Sequence, residues 1–222
     1  MRQSEGRSET RLRRGGILFR NYEELNDTQI DVLREIGNIG AGNAATALAV
    51  ILDDRVEITL PKVKIVDFDS AVDDLGGPEA MTVGVLVNFS GEANGMIMFL
   101  LDMEDAKGIT DILVAEDDVE NQLSEMKLSA IKEIGNILSS SYINSISTLT
   151  GLTIDISIPY IAIDMAGALM SVPLIEFGTL GDKVMFIEES FMGEFHHLRS
   201  NIVMFAEIET LRTIMERLGL EL

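Results

Sequence analysis

The chain has 222 residues, 46% of them hydrophobic, which is enough for one large domain or two small ones. Only 17 Lys and Arg face 37 Asp and Glu, a formal charge of −20, which argues against a phosphate-tracking nucleic-acid binder and against a protein drawn to anionic lipid. The absence of Cys excludes disulfides, thiol catalysis and Cys-based zinc sites, and no apolar run approaches ~18 residues, so membrane insertion is not expected and the chain reads as cytoplasmic.

Residues 1–24 read as a disordered leader, with six Arg in the first 20 positions against Glu5 and Glu9. It lacks the apolar stretch of a signal peptide. The first helix is predicted from about Asp27 to Leu52. Asn26, Asp27 and Thr28 offer N-caps, and Thr28-x-x-Asp31 resembles a capping box. Ile30, Leu33, Ile36, Gly37, Gly40, Ala41, Ala44 and Leu48 form its buried stripe. Strands follow at 56–60 and 62–67, broken by Pro61, and at 82–89 and 95–101, which read as a hairpin. Asp102 caps a short helix to about Val114. The stretches Asp73–Pro78 and Ala115–Gln122 are acidic, turn-rich loops.

A second long helix is predicted from about Ser124 to Thr150, with Leu128, Ile131, Ile134, Leu138, Tyr142 and Ile146 inward and Gly151 just past its end. Strands are expected at 168–177, 183–188 and 201–208, and a closing helix from Glu207 to Leu218. The order helix, strands, helix occurs twice. This predicts an α/β (α+β) fold, internally duplicated and pseudo-two-fold, with two long helices on one face of a mainly antiparallel sheet. The repeats are 25–118 and 119–222 within one compact domain. Offset by 98 positions, residues 28–66 match 126–164 at eight of 39 places: Glu35, Ile36, Gly37, Asn38, Ile39, Ile58, Pro61 and Ile65.

Five of those matches form one motif: Glu-Ile-Gly-Asn-Ile stands at 35–39 and again at 133–137. Glu35 and Asn38 are three apart, so they share one helix face, and Glu133 and Asn136 do the same. A lone pair of this kind is ordinarily a solvated face. Here residues 40–57 match nothing at 138–155, yet exposed Glu and Asn, which should drift first, survive twice. Gly37 and Gly135 cost their helices about 0.8–1 kcal/mol each against Ala, which points to a close approach or to tight packing, between the two duplicated helices among other options. Asn is neither acid nor base, but its carboxamide can hold a water, and Glu can pair with a cation. Such a set suits a substrate already poised to hydrolyse, of which phosphoryl transfer is the clearest case.

The run Asp31-x-x-x-Glu35-Ile-Gly-Asn38-Ile-Gly-Ala-Gly-Asn-Ala-Ala-Thr-Ala-Leu48, with a second Glu-x-x-Asn helix about 100 residues on, resembles the CheC/CheX/FliY family of chemotaxis phosphatases over residues 25–222. The resemblance implies a hydrolase acting on the phospho-aspartate of a CheY-type response regulator. Asn38 and Asn136 would orient the attacking water, and Glu35 and Glu133 would engage a lysine of the regulator. It implies no cofactor or metal of the chain's own, since Mg²⁺ is supplied by the regulator, and a second partner, the receptor deamidase CheD. Two readings stand beside it: a non-catalytic adaptor for phosphorylated CheY or CheD, and a flagellar-switch-associated phosphatase of the FliY kind. The first motif is followed by Gly40-Ala41-Gly42 and the second by Leu138-Ser139-Ser140, so the first site is expected to admit a partner at least as closely.

Other features read as structural. Adjacent His196 and His197 on a strand face opposite ways and suit a hairpin tip better than a metal. Asp67 and Asp69, Asp73-Asp74 and Asp117-Asp118 lack calcium-loop spacing. Gly178 and Gly181 match no phosphate loop. Ser139-Ser140-Ser141 shows no pairing with His, and the 12 Met fill core.

Overall fold

A computed structural model describes residues 19–53, 56–59, 61–114, 123–177, 183–192 and 197–220. The first long helix, α1, spans Asp27–Leu52, as its periodicity predicts. Its capping box joins Asn26 to Gln29, not Thr28 to Asp31: the Asn26 side chain accepts from the Gln29 amide at 3.0 Å, and the Gln29 side chain accepts from the Asn26 amide at 2.9 Å. Asp53, at φ 48°, ends it. The strands β1 (Glu57–Ile58) and β2 (Lys62–Asp67) come next. Phe68–Asp74 then forms a short helix, α2, N-capped by Asp67, which the sequence reading did not anticipate and whose last two residues fall in the expected acidic loop. The hairpin β3 (Met81–Gly91) and β4 (Gly95–Asp102) leads into α3 (Met103–Leu113), with Asp102 accepting from the Asp105 amide at 2.7 Å.

The second half repeats this order: α4 (Glu125–Thr150), β5 (Ile154–Ile156), β6 (Tyr160–Met165), α5 (Ala166–Phe177), β7 (Lys183–Met192), β8 (His197–Ala206) and α6 (Ile208–Arg217). Ser124 caps α4, and Gly151 ends it at φ 70°. The predicted strand at 168–177 is instead the helix α5. Its run is apolar without period-two alternation, which leaves helix and buried strand indistinguishable by pattern. Pro173 decides against a central strand, since it cannot donate to a ladder.

The eight strands form one antiparallel sheet in the order β1-β7-β8-β4-β3-β5, with β2 also on β7 and β6 also on β3. Each half's hairpin therefore takes its outer neighbours from the other half: Val63 of β2 pairs with Ile187 of β7, and Ile161 of β6 pairs with Val85 of β3. A pseudo-two-fold lies between β4 and β8, which pair in antiparallel from Gly95↔Ala206 to Leu100↔Asn201. Helices α1, α3, α4 and α6 pack on one face over Val85, Ile97, Phe99, Ile187 and Ile202. Helices α2 and α5 cover the other over Met98, Leu100, Phe186 and Val203. The sheet is thus the middle of three layers, with the two long helices on one face as expected.

The boundary of the expected leader shifts. Residues 1–18 lie outside the described residues, but Phe19 and Tyr22 are buried in the core. The Tyr22 hydroxyl donates to the Ala206 carbonyl and accepts from its amide, and Arg212 donates to the Phe19 carbonyl. The segment from Phe19 to Glu24 therefore belongs to the fold. Among the described helices, α1 is long and apolar enough by composition to cross a membrane. It nevertheless presents Asp31, Arg34 and Glu35 outward and buries Leu33, Ile36, Ala41, Ala44 and Leu48 against the sheet and α4.

Candidate functional site

The two motifs fall in the middle of α1 and α4, the helices that lie side by side on one face of the sheet. Their five positions have the same burial, residue for residue: Glu exposed, Ile and Gly buried, Asn and Ile half-buried. Ile36 and Ile134 pull each helix onto the core, and the helical period then turns Glu35 with Asn38, and Glu133 with Asn136, to the opposite side. None of these four side chains makes a hydrogen bond or ion pair among the described residues. The carboxamides and carboxylates stay open to whatever docks on the face.

The glycines explain how close the helices lie to the sheet. A Cβ on Gly37 would come 2.7 Å from Val63 Cγ2, and one on Gly135 would come 2.6 Å from Val85 Cβ. What approaches the backbone is a valine of the floor strand, on the face away from Glu and Asn. The contacts between the two helices sit one turn further on. There Gly40 faces the Tyr142 ring, with a would-be Cβ 2.6 Å from Cδ1, and Asn43 donates to Ser145 Oγ at 3.1 Å.

The differing flanks are therefore mostly internal. Gly40, Ala41, Leu138 and Ser139 are buried, and only Gly42 is open to a partner, with half-buried Ser140 as its counterpart. The large and small residues are exchanged across the pseudo-axis: Gly40 receives Tyr142, while Leu138 and Ala44 occupy the equivalent places 98 positions away.

Sequence reasoning missed the polar cluster beneath this junction. Glu189 on β7 is only 3% exposed. It accepts from the Tyr142 hydroxyl at 2.6 Å and from Ser200 Oγ at 3.4 Å. Burial pushes the Glu189 carboxyl up to about 7, opposed by these hydrogen bonds, and burial pushes the Tyr142 hydroxyl up as well. Strand alternation carries the missed signal, since Glu189 is in phase with Met185, Ile187 and Phe191, all inward.

The remaining candidates stay structural where they are described. Asp67 caps α2 and Asp74 pairs with Lys64. Ser139 is buried without a partner, while Ser141 bonds the Ile137 carbonyl. No cluster of His, Asp and Glu among the described residues could hold a metal ion. His196, the His197 side chain, Asp117, Asp118, Gly178, Gly181 and the loop 115–122 lie outside the described residues.

The sequence pattern of the CheC-like family matches residues 29–65 and 126–162, the two long helices with the strands after them. The chain is 30% identical over 206 residues to "CheY-P phosphatase CheC" of Bacillus subtilis, covering 90% of this chain and 99% of that protein. It is 32% identical over 139 residues to "Flagellar motor switch phosphatase FliY" of the same organism, 62% of this chain and 36% of that one. Among solved structures, Thermotoga maritima FliY superimposes with a TM-score of 0.68 at 28% identity, covering 88% of this chain and 98% of that one. The middle domain of Helicobacter pylori FliM shares the fold at a TM-score of 0.63 and 13% identity, covering 87% and 99%.

Proposed function

The chain belongs to the CheC-like family, and from that premise we propose that it hydrolyses the phospho-aspartate of a CheY-type response regulator. The observation that carries this reading is the pair of matching faces: on each of two adjacent helices an exposed Glu and a half-buried Asn stand open, three residues apart, with the same burial at all five motif positions. Support comes from the relative that spans nearly the whole chain and is named for that activity.

Asn38 and Asn136 each hold one water in line with the phosphorus of a docked regulator. The water oxygen attacks, the bond from phosphorus to the aspartyl oxygen breaks, and the regulator recovers a free carboxylate while phosphate leaves. A carboxamide gives this step no proton chemistry; it supplies placement, which is most of what phosphoryl transfer needs. Glu35 and Glu133 pair with a lysine of the regulator and set its register on the helix. Mg²⁺ comes with the regulator, held in its own acidic pocket.

We assign a second protein partner, of the CheD deamidase kind, to the same chain, which acts in the cytoplasm. Supporting an additional partner is the apolar surface around α5 and β6, where Ile158 is 86% exposed and Ile175 84%. The adaptor reading instead has the repeated Glu and Asn faces bind phosphorylated regulator, or the deamidase, without turning it over. Phosphate release from an acyl-phosphorylated regulator separates the two: a catalyst turns over many equivalents at substoichiometric amounts, and an adaptor gives no more release than the regulator alone.

A further inference from the structure

The cluster under the helix junction has no counterpart in the duplicated half. The pairs Val63–Ile187 and Ile161–Val85 show that the two-fold maps Val87 onto Glu189, and the hairpin register then maps Ile97 onto Ser200. Tyr142 maps onto Ala44. One half thus fills this position with Ala, Val and Ile, and the other with a hydroxyl, a carboxyl and a hydroxyl in the same dry core. A buried polar group is costly where an apolar one fits, as the duplicate demonstrates that it does.

The place of the cluster gives it consequence. The Tyr142 ring seats in the notch left by Gly40, two residues beyond Asn38 on α1. Its own helix carries Asn136 six residues earlier. Its hydroxyl reaches past both helices to the floor strand at Glu189. One side chain therefore touches the helix of the first site, belongs to the helix of the second, and is anchored to the sheet.

We propose that Tyr142, held by Glu189, is a positioning residue that sets how α1 and α4 lie against each other and so where Asn38 and Asn136 stand relative to a docked regulator. The proposal rests on the phosphatase reading for its catalytic consequence, but not for its structural one. It also makes the positioning proton-linked. Protonated Glu189 is a neutral partner for Tyr142. Ionised, it places a charge in the core between α4 and β7, in sight of a polar cavity of about 300 Å³ that it and Ser200 border. The charged groups lining that cavity are Lys62, Asp74, Asp102, Asp105, Glu188 and Arg199, four acidic and two basic, so the lining opposes a further negative charge. The α1 side of the contact is Gly40, which is neutral, and Ser200 on β8 offers only a hydroxyl. Ionised Glu189 accepts more strongly from Tyr142, but burial outweighs that gain and holds the carboxyl up at about 7. The closed packing that keeps Glu189 out of water is therefore favoured most below about pH 7 and less above it.

The test compares wild type, Tyr142→Phe and Glu189→Gln. Hydrogen exchange of the amides at 37–44, without any regulator, is followed from pH 6 to 8.5 after correction for intrinsic rates. Protection in wild type falls as pH rises through 7, the fall is flattened in Glu189→Gln, and Tyr142→Phe is less protected throughout. With phosphorylated regulator, Tyr142→Phe lowers kcat about tenfold with little change in KM, as misplacement of a positioned group does. The ratio of wild-type to Glu189→Gln kcat, which cancels the regulator's own titrations, falls across the same interval. Superimposable exchange and kcat profiles for wild type and Glu189→Gln overturn the proposal. Absence of hydrolysis by wild type overturns the phosphatase reading instead, and the exchange data then still decide whether Tyr142 sets the packing of the helices.

Discussion

Gly37 lies directly over Val63: a single added carbon on Gly37 would come within 2.7 Å of Val63 Cγ2. Gly37→Ala is therefore expected to destabilise the fold. Overpacking costs about 1–3 kcal/mol, offset by about 1 kcal/mol of helix propensity. Gly135→Ala should cost more, because the carbon would meet Val85 at Cβ, where a β-branched side chain cannot swing away. Gly42→Ala serves as the control: nothing lies within 4 Å, so it should gain about 0.5–1 kcal/mol. Urea unfolding of the three variants gives the order directly, and a Gly37→Ala protein as stable as Gly42→Ala would contradict it.

Replacing the two asparagines should separate catalysis from folding. Asn38 and Asn136 are half-buried and bond to nothing among the described residues, so Asn→Ala at either should leave the unfolding midpoint within about 0.5 kcal/mol of wild type. Each single variant should lose the turnover of its own site, and the double variant should lose on the order of 10²–10³ in rate or more. Acyl-phosphate release at substoichiometric protein is the measurement, and full activity in the double variant would sink the assigned roles.

Stability should depend on pH through Glu189. Its carboxyl titrates near 4.5 in an unfolded chain and at about 7 in the folded one. Between these values the folded state binds the extra proton, so stability falls as pH rises through the interval and the loss is complete above 7. The full span corresponds to on the order of 3 kcal/mol. Thermal or urea unfolding of wild type against Glu189→Gln from pH 4.5 to 8 isolates this contribution from the other carboxylates. The difference should shift in favour of the Gln variant with rising pH, and a constant difference would refute it.

Tyr22→Phe tests whether the segment before α1 belongs to the fold. The hydroxyl satisfies both the amide and the carbonyl of Ala206, at 2.9 and 3.1 Å, in a buried setting. Removing it strands both groups, at a cost of about 1–3 kcal/mol. Equal stability of the Phe variant would show that water reaches the end of β8.

Much of this was legible in the residues themselves. The bounds of α1 and α4 follow from a cap at one end, a long stripe at helical spacing and Asp53 or Gly151 at the other. The outward turn of Glu35 and Asn38 follows from their separation by three. What stayed hidden depends on partners far along the chain. Nothing local to Lys62–Asp67 says that β2 will lie on β7 rather than on the nearer β3. The helix α5 is apolar all round because Leu169 and Met170 pack on the sheet while Val172, Leu174 and Ile175 face out, which leaves no amphipathic pattern to read. Glu189 looked like one more acid among many until the strand placed it inward.

The crossing of strands between the halves bears on how the chain comes off the ribosome. Residues up to Leu113 contain the hairpin β3–β4 but not β5, β6 or β8, the strands that flank it on both sides. A nascent first half would present two bare sheet edges and would leave the backbone of β2 without its ladder partner, since β7 is still untranslated. The duplicated layout is that of a swapped dimer tied into one polypeptide, in which assembly has become an intramolecular event that waits for nearly the last strand.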